Sequence, residues 1–300
     1  MAIPYVLTNG PGDGSVSVGV DGYGAFGSAV GSDSSNAVFD PIPPDLRSAV
    51  GTTFESGVAI RFGGVGGRSF LTSGLIGSSG GLINPAVSGT SISGSSAFIS
   101  GGLSVSLLQT LSPIFSGSTQ IGSELTQTYT MTNTSPATLA FEMIRYLDGD
   151  LGASLGDDGG GKLGAMLFET ETATGTTTSA VFVAITGEGG TVPSSGRYEV
   201  DSFSGLRSRI IAGTALDDTV TGDGLDPDEF IDALSGYDVT LALMNLFTLA
   251  PGATGVYITR TSLASAPPSV VAGVPEPASL LLLGLGLGLL GVASRVSRRP

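Results

Sequence analysis

The residues best suited to chemistry in this sequence are carboxylates, and seven of them fall within sixteen positions from Asp217 to Asp232 without one Lys or Arg. A hard cation such as Ca²⁺ takes about six to eight oxygen ligands and would relieve the repulsion among them. The candidate Ca²⁺ ligands in this stretch are Asp217, Asp223, Asp226 and Asp228. A solvated acidic loop whose carboxylates lie at a helix N-terminus is the alternative.

A second acidic group lies in the sequence YLDGDLGASLGDDGGGK, where Asp148 and Asp150 are the candidate Ca²⁺ ligands and Asp157 and Asp158 follow. The glycines would let backbone carbonyls join the same ion. Asp-Gly pairs also make ordinary turns, and that alternative stays open. The carboxylates could instead be the acid and base of a glycosidase, but sugar subsites usually use aromatic platforms, and the chain has no Trp and 7 Tyr.

Composition excludes most familiar catalytic chemistry. The 300-residue chain has no His and no Cys, which removes imidazole bases, thiol nucleophiles, disulfides and most zinc or copper sites. Its formal net charge of −14 repels a phosphate backbone, so we expect no nucleic-acid partner. We therefore expect a protein that is not an enzyme and that needs no cofactor apart from the Ca²⁺ considered above.

The elements that must position these carboxylates are strands. Short runs rich in Val, Ile, Thr and aromatic residues, separated by Gly, Ser, Pro and Asp, predict strands at 16–20, 57–62, 97–109, 124–133, 138–147, 179–186, 237–249 and 254–263. The four-residue links at 134–137 and 250–253 predict hairpins. No long amphipathic helical pattern separates successive strands, so the fold class is predicted to be all-β, an antiparallel β-sandwich with Gly/Ser-rich loops.

One short helix is predicted beside the first acidic group. Asp226 suits the N-cap, Pro227 the first helical position and Glu229 the capping box. We expect Phe230 and Leu234 to share one face of this helix, which would decorate the sheet rather than connect parallel strands.

A row of threonines marks one predicted strand, 124–133, in which Thr126, Thr128, Thr130 and Thr132 alternate with other residues. Successive side chains of a strand point to opposite faces, so the four hydroxyls share one face. Such a row could order water or bind polysaccharide. An ordinary solvent-facing strand is the alternative, because Thr has high β-propensity.

The C-terminal region has a different character. The sixteen residues from Ala278 to Ala293 carry no charge, and as a helix they would be about 24 Å long at about 1.5 Å per residue. They show no polar face at helical period, which argues against a buried core helix. We therefore predict a transmembrane helix, preceded by a linker at 264–273. The arginines that follow place the acidic body outside the cytoplasm by the positive-inside rule.

The sequence VPEP, the Leu- and Gly-rich stretch and the terminal arginines together resemble the PEP-CTERM sorting signal of exported Gram-negative bacterial proteins, over about residues 274–299. The same tail is also catalogued as an ice-binding protein C-terminal segment, a label that implies no ice binding. The resemblance implies a sorting motif and a cytoplasmic stop, formed respectively by Pro275, Glu276 and Pro277 and by Arg295, Arg298 and Arg299. It also implies recognition by an exosortase, a membrane enzyme, and an association with exopolysaccharide and biofilm.

These observations predict three domains: an extracytoplasmic β-sandwich at 1–263, the linker at 264–273 and the sorting and anchor segment at 274–300. The expected function is that of an exported, non-enzymatic protein with a structural or adhesive role. It would be anchored in the inner membrane facing the periplasm, and then be moved to the cell surface or extracellular matrix. The alternative is a Ca²⁺-dependent carbohydrate-binding protein or a carbohydrate-active enzyme that uses the acidic loops. The first residues lack a signal-peptide pattern, so we expect a leader to be missing.

Overall fold

The computed structural model describes residues 5–30, 36–42, 49–73, 85–151, 156–174, 181–191, 197–224 and 228–265. The chain divides into two compact units, Met1–Pro267 and Pro268–Pro300. The second unit lies outside the described residues, so the fold given below is that of the first.

Strands dominate the described residues, and one helix accompanies them. The strands are β1 (Tyr5–Thr8), β2 (Val16–Val20), β3 (Ala37–Phe39), β4 (Val50–Gly51), β5 (Thr53–Phe62), β6 (Ser69–Leu71), β7 (Ser88–Thr90), β8 (Ser93–Ser100), β9 (Leu103–Ser116), β10 (Thr119–Asn133), β11 (Leu139–Gly149), β12 (Gly159–Leu163), β13 (Met166–Thr170), β14 (Phe182–Gly189), β15 (Tyr198–Ser202), β16 (Thr219–Val220), β17 (Val239–Leu249) and β18 (Thr254–Ala264). The helix is α1 (Phe203–Ala212).

The strands form three sheets. One has four strands in the order β1-β2-β3-β4, one has eight in the order β12-β13-β14-β18-β10-β9-β8-β7, and one has six in the order β16-β15-β17-β11-β5-β6. Within the described residues every strand pairing is antiparallel apart from the short parallel contact between β15 and β16. The predicted antiparallel, strand-rich fold is therefore confirmed.

The two large sheets share a hydrophobic core. Leu107 and Tyr129 of the eight-stranded sheet belong to the same buried cluster as Met143 and Phe247 of the six-stranded sheet. A second buried cluster adds the four-stranded sheet, for example through Phe39. Apolar residues alternate with polar ones along β9 and β10, so each of these strands directs one face to the core. The large sheets consequently pack face to face.

Helix α1 covers the other face of the six-stranded sheet. Its buried residues Leu206 and Ile210 pack in a cluster with Phe70 and Tyr146. The helix ends at Gly213, which has a positive φ of 82° and whose N–H donates to carbonyls of the last turn. A residue with a Cβ would be strained there, so glycine fixes the end of the helix.

Both predicted hairpins are wrong. The links at 134–137 and 250–253 each carry the chain from one large sheet to the other, because β10 and β18 lie in the eight-stranded sheet while β11 and β17 lie in the six-stranded sheet. The Asn133 side-chain amide donates to the carbonyls of Ala137 and Leu249. These two hydrogen bonds connect the link at 134–137 to the end of β17, where the link at 250–253 begins. A crossing lets the apolar faces of consecutive strands meet across the core, whereas a hairpin would place them side by side.

The predicted strand at 97–109 is two strands, β8 and β9, joined by a tight turn. Gly101 and Gly102 have positive φ values of 54° and 88°, and Ser100 pairs with Leu103 across the turn. Two positive φ values are typical of a type I′ hairpin, which glycine adopts without strain. The Gly-Gly pair is therefore the turn signal within this run.

The short helix predicted after Asp226 is wrong for the residues that the structure describes there, 228 onward. The Asp223 carboxylate accepts hydrogen bonds from the backbone N–H groups of Asp228 and Glu229. Such local bonds offer the backbone an alternative to helical pairing. Glu229 and Leu234 both have positive φ, and Leu234 is 99% exposed, so this segment is an irregular loop.

No helix in the described part of the chain is long and apolar enough to cross a membrane. The apolar stretch at 278–293 lies outside the described residues. The predicted transmembrane helix therefore stays a prediction.

Candidate functional site

The acidic residues that the fold brings together lie where β11 ends. We call Asp148, Asp150, Asp158, Glu169 and Asp238 the carboxylate cluster. Asp148 is on β11 and Glu169 on β13, while the other three lie in the segments just outside β11, β12 and β17. Two sheets thus contribute to the cluster. The antiparallel order sets this arrangement, since β11 ends beside the start of β17.

A cavity of about 160 Å³ opens at the carboxylate cluster. It is lined by Phe54, Asp148, Gly149, Asp150, Phe203 and Asp238. The rings of the two phenylalanines meet edge to face, with centroids 5.9 Å apart. The cavity therefore has one aromatic wall and one acidic wall.

Glu169 is fully buried between the sheets and lies against Gly149. A Cβ at position 149 would come within 2.0 Å of both carboxylate oxygens of Glu169, so only glycine leaves room for this side chain. Neither oxygen of Glu169 has a hydrogen-bond partner. Oδ1 of Asp158 is also buried without a partner. Burying a charged group in this way costs several kcal/mol unless a counter-charge or a proton compensates it.

The electrostatics of the carboxylate cluster reflect this burial. Burial raises the pKa of Asp148 to about 9 and that of Asp158 to about 8, and the charge of Asp238 adds to both shifts. Burial, followed by the charges of Asp158 and Asp148, raises the pKa of Glu169 well above its usual range. The backbone of Gly149, beside this carboxylate, lowers the pKa by less. These shifts favour the protonated forms of Asp148 and Asp158 at neutral pH.

The first acidic group of the sequence is engaged elsewhere. The Asp217 carboxylate accepts a hydrogen bond of 2.6 Å from the Thr219 hydroxyl, while Asp223 accepts from backbone amides of its own loop. The Asp228 carboxylate accepts from the Phe230 amide, and position 226 lies outside the described residues. Of the predicted Ca²⁺ ligands, the fold therefore places Asp148 and Asp150 in the carboxylate cluster and leaves the described members of the other group in a turn.

Sequence reasoning missed Glu169 and Asp238. Glu169 follows Leu167 by two positions on β13, so alternation places its carboxylate on the same face as the buried Leu167. Asp238 carries no comparable signal, because it joins the cluster through tertiary contacts. No three carboxylates of the described ranges already converge tightly enough to hold a metal ion. The Ca²⁺ prediction is thus untested.

A second candidate surface lies on the outer face of the eight-stranded sheet. The threonines of β10 lie on this face, whereas Leu125, Tyr129 and Met131 are buried on the other. In register, Thr130 lies between Ser106 of β9 and Val256 of β18. We call this surface the hydroxyl face; its members are Ser104, Ser106, Leu108, Thr126, Thr128, Thr130, Thr132, Thr254, Val256 and Ile258.

The hydroxyl face carries no charge among these ten residues. The charged side chains beside it pair with one another: Nε of Arg260 lies 3.6 Å from Glu124, and its guanidinium also contacts Glu188. Leu108 and Val256 are 46% and 41% exposed, so the face combines hydroxyl groups with aliphatic groups. Such a surface suits a polymer that presents both hydroxyl and C–H groups.

Comparison with known proteins identifies the tail. A family described as the PEP-CTERM protein-sorting motif matches residues 273–299. The match contains both the predicted sorting motif and the three predicted stop arginines, which lie outside the described residues. The resemblance seen in the sequence is therefore confirmed: the chain carries a PEP-CTERM sorting signal. This signal implies export, association with the cell envelope and an exosortase as the processing partner.

A search of curated proteins found no match. Among solved structures, a polysaccharide lyase is similar over 72% of this chain and 26% of its own, with 13% sequence identity and a TM-score of 0.35. The chain thus spans about a quarter of that protein. A likeness at this level carries no argument about function.

Proposed function

We propose that the chain is an exported, non-enzymatic protein of the cell envelope or extracellular matrix, with a structural or adhesive role in exopolysaccharide or biofilm. The observation that carries this proposal is the PEP-CTERM match at 273–299. Exosortase recognises the segment around Glu276, and the apolar stretch at 278–293 holds the protein in the inner membrane until it is processed. The body faces the periplasm and then reaches the cell surface or the matrix.

The hydroxyl face supports the adhesive part of this proposal. Polysaccharides present hydroxyl groups and C–H faces, which Thr130, Ser106 and the aliphatic Val256 can contact side by side. A chain with a net charge of −14 repels acidic polymers over most of its surface, whereas an uncharged face does not. The absence of His and Cys from the sequence supports a binding role over catalysis.

The sorting proposal is tested by fractionating cells that contain an exosortase and by mass spectrometry of both termini of the protein. We expect the wild-type protein in the surface or matrix fraction without residues 278–300. The triple variant Pro275→Ala, Glu276→Ala, Pro277→Ala should stay in the membrane fraction with its tail intact. The matched control, Pro267→Ala with Pro268→Ala, changes prolines of the linker and should be processed normally. Wild-type protein in the cytosol with an intact tail would contradict the proposal.

The adhesive role is tested by retention on exopolysaccharide purified from the same cells. The double variant Thr128→Ala, Thr130→Ala removes two hydroxyls from the hydroxyl face and should weaken retention by about 30-fold, since each net hydrogen bond contributes about 1 kcal/mol. Thr214→Ala removes an exposed hydroxyl elsewhere and is the matched control. Equal retention of the double variant and the control would exclude this face.

A second candidate function is favoured by the cavity at the carboxylate cluster. Its acidic wall includes Asp148 and Asp238, and its aromatic wall consists of Phe54 and Phe203. Small-molecule sites are commonly lined by aromatic side chains together with a few polar groups, as this cavity is. Turnover or Ca²⁺-dependent binding of matrix polysaccharide, lost in Asp148→Asn, would support this carbohydrate-active alternative over the non-enzymatic role.

A further inference from the structure

The cavity at the end of β11 lies on the face of the six-stranded sheet that helix α1 covers. Asp148 and Tyr146 are two positions apart on β11, so they share this face, and Tyr146 packs in the buried cluster of α1. Phe203, the first residue of α1, lines the cavity, and its backbone N–H donates to the carbonyl of Asp238. A strand end, a helix start and the residue before β17 therefore bound the cavity.

Three carboxyl groups line this cavity, and we call Asp148, Asp150 and Asp238 the cavity carboxylates. Burial is the main cause of the raised pKa of Asp148, and the charges of Asp238, Glu55 and Asp150 raise it further. Burial followed by the charge of Asp150 likewise raises the pKa of Asp238. Charges that act on one another in this way lie close together, so the cavity concentrates negative charge.

Asp148 is the cavity carboxylate that is most deeply buried, since it is 2% exposed. In the described part of the chain its carboxyl group makes no hydrogen bond and no salt bridge. Two other buried acids of the same sheet have arginine partners: Glu55 pairs with Arg207, and Glu142 pairs with Arg68. A buried polar group without a partner is costly. An unpartnered carboxyl group that lines a cavity therefore indicates a ligand that donates hydrogen bonds.

The opposite wall of the cavity is aromatic. The rings of Phe54 and Phe203 lie edge to face, and both residues line the cavity. No three acidic side chains among the described residues could hold a metal ion, and phenylalanine offers a metal no ligand. An organic cation can use both walls, because aromatic rings attract cations and also pack against aliphatic carbon.

We propose that this cavity binds a small organic ammonium ion, a protonated primary amine on a short aliphatic skeleton. An ammonium group has three N–H donors, which match the three cavity carboxylates, and its carbon skeleton packs against Phe54 and Phe203. A protein cavity of about 150 Å³ can hold benzene, so the volume here suits about six non-hydrogen atoms. This inference goes beyond the proposed function, because binding of a small amine by the folded body requires neither export nor adhesion.

The test is calorimetric titration of the full chain at pH 8 with n-butylamine, which is protonated at this pH. We expect a Kd of about 1 mM, which is within reach of a ligand of this size. n-Butanol, a neutral molecule of the same length, should show no binding. Tetramethylammonium carries the charge without N–H donors and should bind at least about 10-fold more weakly. The proposal is overturned if n-butylamine does not bind, or if either of the other two compounds binds equally well.

Variants of the cavity separate the contributions of its two walls. Asp148→Asn should weaken binding of n-butylamine by at least about 10-fold, because a hydrogen bond to a charged group is lost. Phe54→Leu should weaken it by about 3-fold through the loss of one aromatic ring. The matched control, Asp217→Asn, removes the same charge at a half-exposed position and should bind like the wild type.

If Asp148→Asn does not fold, Asp238→Asn takes its place, because it keeps the backbone carbonyl that accepts from Phe203. Wild-type affinity in the folded cavity variant, or an equal loss of affinity in Asp217→Asn, would overturn the proposal. Two-dimensional NMR of the same titration locates the ligand. We expect the backbone amide signals of Gly149 and Phe203 to shift while that of Gly10 stays in place. Shifts that leave both cavity amides unchanged would also overturn the proposal.

Discussion

Strand β11 has a buried carboxylate near each end. One of them pairs with arginines, and the other lies beside a second acidic residue. Glu142 and Asp148 are separated by an even number of residues, so both point to the same face of the six-stranded sheet. Nε of Arg68 lies 2.5 Å from Glu142 and Nε of Arg61 lies 2.9 Å from it. Asp148 instead pairs in register with another acid, Glu55.

The difference shows two uses of buried charge in one strand. At the Glu142 end the chain supplies its own cations, so the charge is compensated by folding alone. At the Asp148 end the nearby cation in the described part of the chain, Arg207, already pairs with Glu55, and burial raises the pKa of Asp148 to about 9. The first end serves stability, and the second can respond to the surrounding solution.

The largest effect is expected at the compensated end. Glu142→Gln leaves Arg68, whose side chain is fully buried, without its counter-charge. Removing one partner of a buried ion pair costs about 3 to 5 kcal/mol, to be measured by urea unfolding. Glu124→Gln, at the partly exposed pair with Arg260, is the control and should cost less than about 1 kcal/mol. Equal losses in the two variants would remove the contrast between buried and exposed pairs.

A smaller effect, with a defined sign, concerns pH at the other end. The pKa of Asp148 is raised to about 9 from an ordinary value of 3.8, so the folded state binds its proton more tightly than the unfolded state does. The resulting stability is fully present below about pH 4 and is lost as pH rises through about 9. We expect this loss to reach about 3 kcal/mol in chelator, because partial hydration of the charged group reduces the ideal slope of about 1.4 kcal/mol per pH unit.

Asp148→Asn should flatten this part of the stability-versus-pH curve, measured by urea unfolding at a series of pH values. Asp217→Asn, at an exposed position, should leave the curve unchanged. A wild-type stability that rises between pH 5 and 8 in chelator would show that Asp148 is ionised in the folded protein.

The smallest of these effects tests where the Glu169 side chain lies at the Asp148 end of β11. Gly149→Ala places a Cβ 2.0 Å from the Glu169 carboxylate and should destabilise the fold by about 2 kcal/mol through overpacking. Gly156→Ala is the control, since nothing lies within 4 Å of its added Cβ. Thermal melting of the two variants in chelator measures the difference, and a neutral Gly149→Ala would mean that Glu169 does not occupy this position.

Much of the strand content could be predicted from alternation and turn chemistry. The run at 16–20 is β2 as predicted, and the predicted strand at 254–263 differs from β18 by one residue. Local patterns predict such elements because both signals are close in sequence: the alternation with period two runs along the strand, and the Gly and Pro residues flank it. The links at 134–137 and 250–253 show the limit, since a short turn does not specify whether the next strand pairs with the last one or faces it across the core.

The carboxylate cluster could be predicted only in part. Asp148 and Asp150 stand out because they are dense in the sequence, but Glu169 and Asp238 join them from separate regions of the chain. The first acidic group was denser still, yet Asp217, Asp223 and Asp228 make hydrogen bonds within their own segments. Density along the chain therefore indicates acidic character, whereas convergence depends on which strands become neighbours.

The two crossings between sheets have a kinetic consequence. Because β10 pairs with β18, Thr126 must find Arg260, and neither large sheet can be completed from one continuous stretch of chain. Domains dominated by such distant pairings fold slowly, in about milliseconds to seconds. For an exported polypeptide this slow folding is useful, because the chain stays unfolded while it crosses the membrane and can complete its sheets only after β18 has crossed.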